Sequence, residues 1–122
     1  MKSYRELIAW QKGMELLGMV YELTRGLPKE EQFGLTSQLR RAAVSVPSNI
    51  AEGQSRFSKP EFSRFLMMAR GSISEIETQL LICVQLAYLK SESITPALDL
   101  ATECGKIVNG LRDSLKADAA HN

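Results

Sequence analysis

Hydrophobic positions along the chain recur at three- and four-residue steps, the spacing of amphipathic helices. The clearest case is Ser37–Gly53, which reads SQLRRAAVSVPSNIAEG. Leu39, Ala42 or Ala43, Val46 and Ile50 fall on one face of such a helix, and Arg41, Ser45, Ser48 and Glu52 on another. Gly53 follows the last periodic residue and reads as the helix stop, since glycine takes the left-handed conformation without a Cβ clash. Pro47 interrupts the pattern. It has no N–H to give to the carbonyl of Ala43, a loss of about 3 kcal/mol in a helix interior. The residues allow a kink that lets the helix wrap its neighbours, a polar site made of the freed carbonyl with Ser45, Ser48 and Asn49, or a helix that ends at Val46.

The same periodicity runs through the rest of the chain. Leu7, Trp10, Met14, Leu17 and Tyr21 form a heptad-like seam, widened by Leu16, Val20 and Leu23, and predict a helix over about 4–25 with Gly26 as its stop. Thr24, next on that seam, reads as a fraying last turn. Leu27–Gly34 is the connection to a second helix over about 36–52. The start of the third helix is well signalled. Ser58 and Glu61 form a capping box, Pro60 lies in the first turn, and Phe57 and Phe62 stand at the positions of a hydrophobic staple. This helix is expected over about 59–89 and carries three apolar lines. One runs Phe62, Phe65, Ala69, Ser72, Ile76, Gln79, Cys83, Leu86; a second runs Leu66, Ile73, Leu80, Ala87; a third runs Met67, Leu81, Tyr88. A helix apolar on so many sides needs cover from a partner as well as from the bundle. Leu66, Ile73, Leu80, Leu81 and Tyr88 are therefore candidate subunit-interface residues. Gly71, beside Ala69, Ser72 and Ser74, predicts the close approach of another helix.

Ser93 or Thr95 is the expected cap of a fourth helix over about 94–116, with Pro96 in its first turn and a seam of Ala97, Ala101, Cys104, Val108, Leu111 and Leu115. Asp118–Asn122 reads as a frayed tail. No segment has strand periodicity. The predicted fold class is all-α, an up-down-up-down antiparallel four-helix bundle occupying residues 1–122 as one domain.

Composition narrows the function mainly by exclusion. The longest apolar run, Leu80–Leu89, is ten residues broken only by Gln85, against about 20 for a bilayer span, so no membrane association is expected. The N-terminus lacks the apolar core of a secretory signal, which predicts a cytoplasmic protein. Cys83 and Cys104 lie within helical patterns and read as reduced core residues. A di-metal carboxylate site in a bundle needs Glu-x-x-His pairs, and the single histidine, His121, stands next to the C-terminal residue. Glu75 and Glu77 then read as salt-bridging residues. With no histidine beside a cysteine and no glycine-rich strand-to-helix loop, the expectation is no enzyme, no cofactor and no metal.

Net charge is only +1, but it is unevenly spread: residues 40–70 hold six basic and two acidic residues, the remainder nine and twelve. Arg40, Arg41, Arg56, Lys59 and Arg64 are candidate nucleic-acid contacts through phosphate. Against this, Arg64 can pair with Glu61 and Arg70 with Glu52, and no aromatic residue is interleaved for base stacking.

Ser37–Gly53, Phe62–Leu80 (FSRFLMMARGSISEIETQL), Leu7, Trp10-Gln11-Lys12 and the segment LPKEEQFGLT together resemble the bacterial four-helix bundle proteins encoded in intervening sequences of 23S ribosomal RNA genes. The chain is more remotely similar to the accessory variability proteins of diversity-generating retroelements. The resemblance implies a ring-shaped homo-oligomer, a pentamer, of four-helix protomers. Its retroelement relatives bind nucleic acid and a reverse transcriptase through basic surface residues, for which Arg40 and Arg41 are the matching positions here, followed by Arg56, Lys59 and Arg64. The near-neutral charge departs from those strongly basic relatives. Two functions are thus expected: an oligomeric, non-enzymatic scaffold or accessory protein that binds RNA or DNA, or a protein-interaction module that binds no nucleic acid.

Overall fold

The computed structural model describes residues 3–121, with side chains as far as residue 116. Four helices follow a short 3-10 turn at Tyr4–Glu6: α1 (Ile8–Thr24), α2 (Leu35–Ser55), α3 (Lys59–Gln85) and α4 (Ser91–His121). Each packs on its neighbours in sequence, and α1 closes the ring against α4, while the diagonal pairs do not meet. Short connections force antiparallel neighbours, so the chain is the expected up-down-up-down bundle.

The core is one cluster with contributions from all four helices. In α2 the expected face holds: Leu39, Ala42, Ala43, Val46 and Ile50 are buried. In α4 Ala97, Ala101, Cys104 and Val108 are buried as the seam requires, and Leu111 and Leu115 pack against the cluster. In α1 the buried line is rotated. It runs Ala9, Gly13, Leu16, Val20 and Thr24, while Trp10 and Leu17 lie at its flank and Met14 is exposed. Small residues decide this. A Cβ on Gly13 would lie 3.1 Å from Val46 Cγ1 and 3.5 Å from the Pro47 nitrogen, so the backbone of α1 approaches α2 where the proline sits. Pro47 is buried inside a continuous helix, which excludes an end at Val46.

Other boundaries differ from those expected for local reasons. Gly53 does not stop α2, which runs on to Ser55. Its missing side chain serves packing instead: a Cβ there would meet Phe65 Cβ at 2.6 Å. The Ser58 hydroxyl accepts from the Glu61 N–H as the capping box requires. The Glu61 carboxylate, however, is taken by Arg64, at 2.9 Å. No staple forms, because Phe57 sits in the left-handed region (φ 54°) and is 91% exposed. α3 ends at Gln85, short of the expected residue 89. Ala87 adopts φ 61°, the Tyr88 N–H bonds to the Cys83 carbonyl and the Ala87 N–H to the Val84 carbonyl. That pair of bonds is the Schellman termination, built here without glycine. α4 begins at Ser91, which places Pro96 inside the helix, and its backbone stays helical to His121 where a frayed tail was expected. The His121 side chain lies outside the described residues.

Candidate interaction surfaces

The five candidate cations do not form one surface. Arg40 and Arg41 lie early in α2, while Arg56 follows its last residue, about 22 Å further along at 1.5 Å per residue. Arg56 and Arg64 converge from the two ends of the α2–α3 connection on one ring. Their guanidinium carbons lie 5.2 and 4.7 Å from the centre of Phe65. Two carboxylates neutralise them, Glu52 on Arg56 at 2.9 Å and Glu61 on Arg64 at 2.9 Å. The Arg64 hydrogen bond holds the Glu61 carboxyl below its ordinary value. Lys59, the first residue of α3, is engaged as well. This end of the bundle is a clamp that joins α2 to α3. Arg70 does not meet Glu52. It reaches Ser74 at 3.0 Å and Glu77 at 3.9 Å on its own helix.

Arg40 and Arg41 stand in a different setting. Thr24 is buried, and its hydroxyl donates to the Val20 carbonyl at 2.9 Å while accepting the Arg40 Nε–H at 2.9 Å. Arg40 lies over Tyr21, with its guanidinium carbon 4.5 Å from the ring centre. Thr24 is thus an anchor for Arg40 and not a fraying end, a role invisible in the seam because the partner is 16 residues away. Arg41, one residue on, has no hydrogen bond, ion pair or ring contact among the described residues. Both arginines border an open groove of about 670 Å³ whose other walls include Phe33, Val44 and Tyr21. Phe33, from the α1–α2 connection, is 90% exposed. Aromatic rings do flank this pair of cations, contrary to the sequence reading. They come from α1 and the connection, so no spacing within α2 could show them.

The interface candidates divide as well. Leu66, Ile73 and Leu80 are 0% exposed within the protomer, so they belong to its own core and not, as expected from the sequence, to a subunit interface. Two of the three apolar lines of α3 merge into one buried face, because Phe65, Ala69, Ile76 and Cys83 turn inward beside them. Leu81 is 54% exposed and has Ile82 and Leu86 as exposed apolar neighbours. Tyr88 is half-buried, and its hydroxyl donates to Glu31 Oε2 at 2.9 Å, which raises its pKa. No helix approaches Gly71, which has open space around it.

Cys83 and Cys104 are free and buried. Burial pushes the Cys104 thiol up to about 11 and raises that of Cys83 too. Among the described residues no three His, Cys, Asp or Glu side chains are grouped to hold a metal ion, and no helix is long and apolar enough to cross a membrane.

The geometry defines a class, an antiparallel four-helix bundle with an open cationic and apolar groove on its α1–α2 side. Residues 5–110 match the family of 23S rRNA-intervening sequence proteins, and the chain belongs to that family. A solved structure from Bacteroides thetaiotaomicron, described as a protein of unknown function from the S23 ribosomal protein family, has the same fold. It superimposes with a TM-score of 0.79 at 22% identity, over 86% of this chain and 98% of its own. No match was found among functionally curated proteins.

Proposed function

We propose that this protein is a non-catalytic interaction module: a self-assembling bundle that receives an acidic, partly apolar protein segment in the groove bordered by Arg40, Arg41, Phe33 and Val44. The observation that carries the reading is the contrast between cations. Arg56 and Arg64 at the α2–α3 end are neutralised by Glu52 and Glu61, whereas Arg41 has no partner among the described residues and stands beside exposed Phe33 and Val44. An unpaired guanidinium next to apolar surface complements a carboxylate next to an apolar side chain. Non-catalysis is supported by the thiols, which burial keeps protonated and unreactive at neutral pH. Self-assembly is supported by the exposed patch of Leu81, Ile82 and Leu86, and the ring of five is the form that the family resemblance implies.

A second reading, nucleic-acid binding, is favoured by one observation: Phe33 and Tyr21 flank Arg40 and Arg41, as a stacking platform beside phosphate contacts would require. One experiment separates the two. Labelled acidic amphipathic peptides and labelled single-stranded RNA are titrated in parallel by fluorescence anisotropy, at several salt concentrations. The protein-segment reading expects peptide binding that Arg41→Glu and Val44→Asp each abolish. The nucleic-acid reading expects RNA binding with a log–log salt slope of about −1.4 per protomer, for two neutralised phosphates. Absence of both defeats the groove as a binding site.

A further inference from the structure

A second cleft of about 390 Å³, which shares Arg41 and Ser45 with the groove, opens between α2 and α3. Its walls carry polar groups whose bonding capacity is unfilled. Ser45 Oγ and Ser72 Oγ are 2.9 Å apart, and Asn49 Nδ2 donates to Ser45 Oγ at 2.8 Å. Only one of the two hydroxyl protons can lie between the serines, so the other has no acceptor among the described residues. Gln79 Oε1 is a buried acceptor without a donor, while its amide nitrogen reaches Gln38 at 3.4 Å. Exchanging oxygen and nitrogen in both amides would leave a buried N–H₂ unfilled in its place. Arg41 on α2 and Glu75 on α3 both line the cleft, and neither side chain has an ion pair or hydrogen bond among the described residues. Arg41 and Glu75 are exposed, but Gln79 Oε1 is buried, and a buried polar atom is ordinarily satisfied, so this one needs a reason.

These four unfilled groups are complementary to one kind of molecule. We propose that the cleft binds a small zwitterion of the amino-acid type, its carboxylate on Arg41 and the free serine hydroxyl, its ammonium on Glu75 and the Gln79 carbonyl. The guanidinium and one hydroxyl supply donors for a carboxylate, and the carboxylate and amide oxygen supply acceptors for an ammonium. The volume suits a ligand of that size, within the usual range for small-molecule pockets. The polar residues placed mid-helix thereby gain a role that packing alone does not give them. Arg41 and Ser45 line both this cleft and the Phe33 groove, whereas Glu75, Gln79 and Ser72 take no part in the groove, so Glu75→Gln tests this site without touching the proposed partner site.

The test is isothermal titration calorimetry of the full chain with each of the twenty free L-amino acids, with acetate and ethylammonium as single-charge controls. At least one amino acid is expected to bind saturably at about millimolar Kd or tighter, and either control about tenfold more weakly or not at all. Glu75→Gln should weaken the bound amino acid about tenfold or more, the loss of one charge-assisted hydrogen bond. Glu75 is exposed and unpartnered, so the variant should keep its helical circular dichroism. Should it fail to fold, the single-charge controls decide alone. No saturable binding, a control that binds as well as the amino acids, or undiminished binding by folded Glu75→Gln would each overturn the proposal.

Discussion

Gly53 and Gly71 show how differently one residue type can be used. A Cβ on Gly53 would collide with Phe65 Cβ, an atom held by its own backbone, whereas a Cβ on Gly71 would meet nothing within 4 Å. Gly53→Ala should therefore destabilise the fold by about 1–3 kcal/mol. Gly71→Ala, in an exposed helix interior, should stabilise it by up to about 1 kcal/mol. Urea unfolding of the two variants checks both signs. Cys104 carries a pH dependence. Its thiol ionises near 9.0 in the unfolded chain and near 11 in the fold, so the folded state holds its proton more tightly. Stability is then undiminished below pH 9 and falls as pH rises from about 9 to 11, by up to about 1.4 kcal/mol per unit. Replacing Cys104 with serine or alanine should flatten that part of the profile, measured as melting temperature against pH.

Helix faces were legible at the scale of the element, and helix ends were less so. The α2 face from Leu39 to Ile50 follows directly from its spacing, since four apolar side chains in register admit one buried side. The end of α3 did not follow, because Ala87 occupies a left-handed position that favours glycine. Ala87→Gly should relieve that backbone and stabilise the protein by about 1 kcal/mol, again read from the urea midpoint, without changing where α3 ends. The α1 face was rotated because periodicity ranks residues by hydrophobicity, whereas contact with α2 is set by the small Ala9 and Gly13. Pro47 fits the same account. Its missing N–H costs α2 a hydrogen bond, and its ring packs into the space that Gly13 leaves.

At the scale of the whole molecule, the proposed self-assembly falls on the C-terminal end of α3. Leu66, Ile73 and Leu80 are already covered by the protomer, which leaves Leu81, Ile82 and Leu86. If the protein self-assembles as proposed, Leu81→Glu and Leu86→Glu should each shift it toward monomer in multi-angle light scattering while leaving the helical circular dichroism unchanged. The control is Arg56→Ala, which removes one side of the Phe65 clamp and should cost stability without changing subunit number.

By itself the sequence determined the fold class, the number of helices and the inward face of α2 and α4. Those properties depend on spacing along one element, which a linear chain displays. It also carried the family resemblance, through motifs in the first three helices. Only the tertiary structure decided which charges are free. Arg56 and Arg64 meet on Phe65, Arg40 reaches Thr24, and the Arg41 side chain has no hydrogen bond, ion pair or ring contact among the described residues. A cation's availability is set by what lies across from it in space, and neither the neighbouring helix nor the exposed Phe33 of the connection is written into the cation's own stretch of sequence.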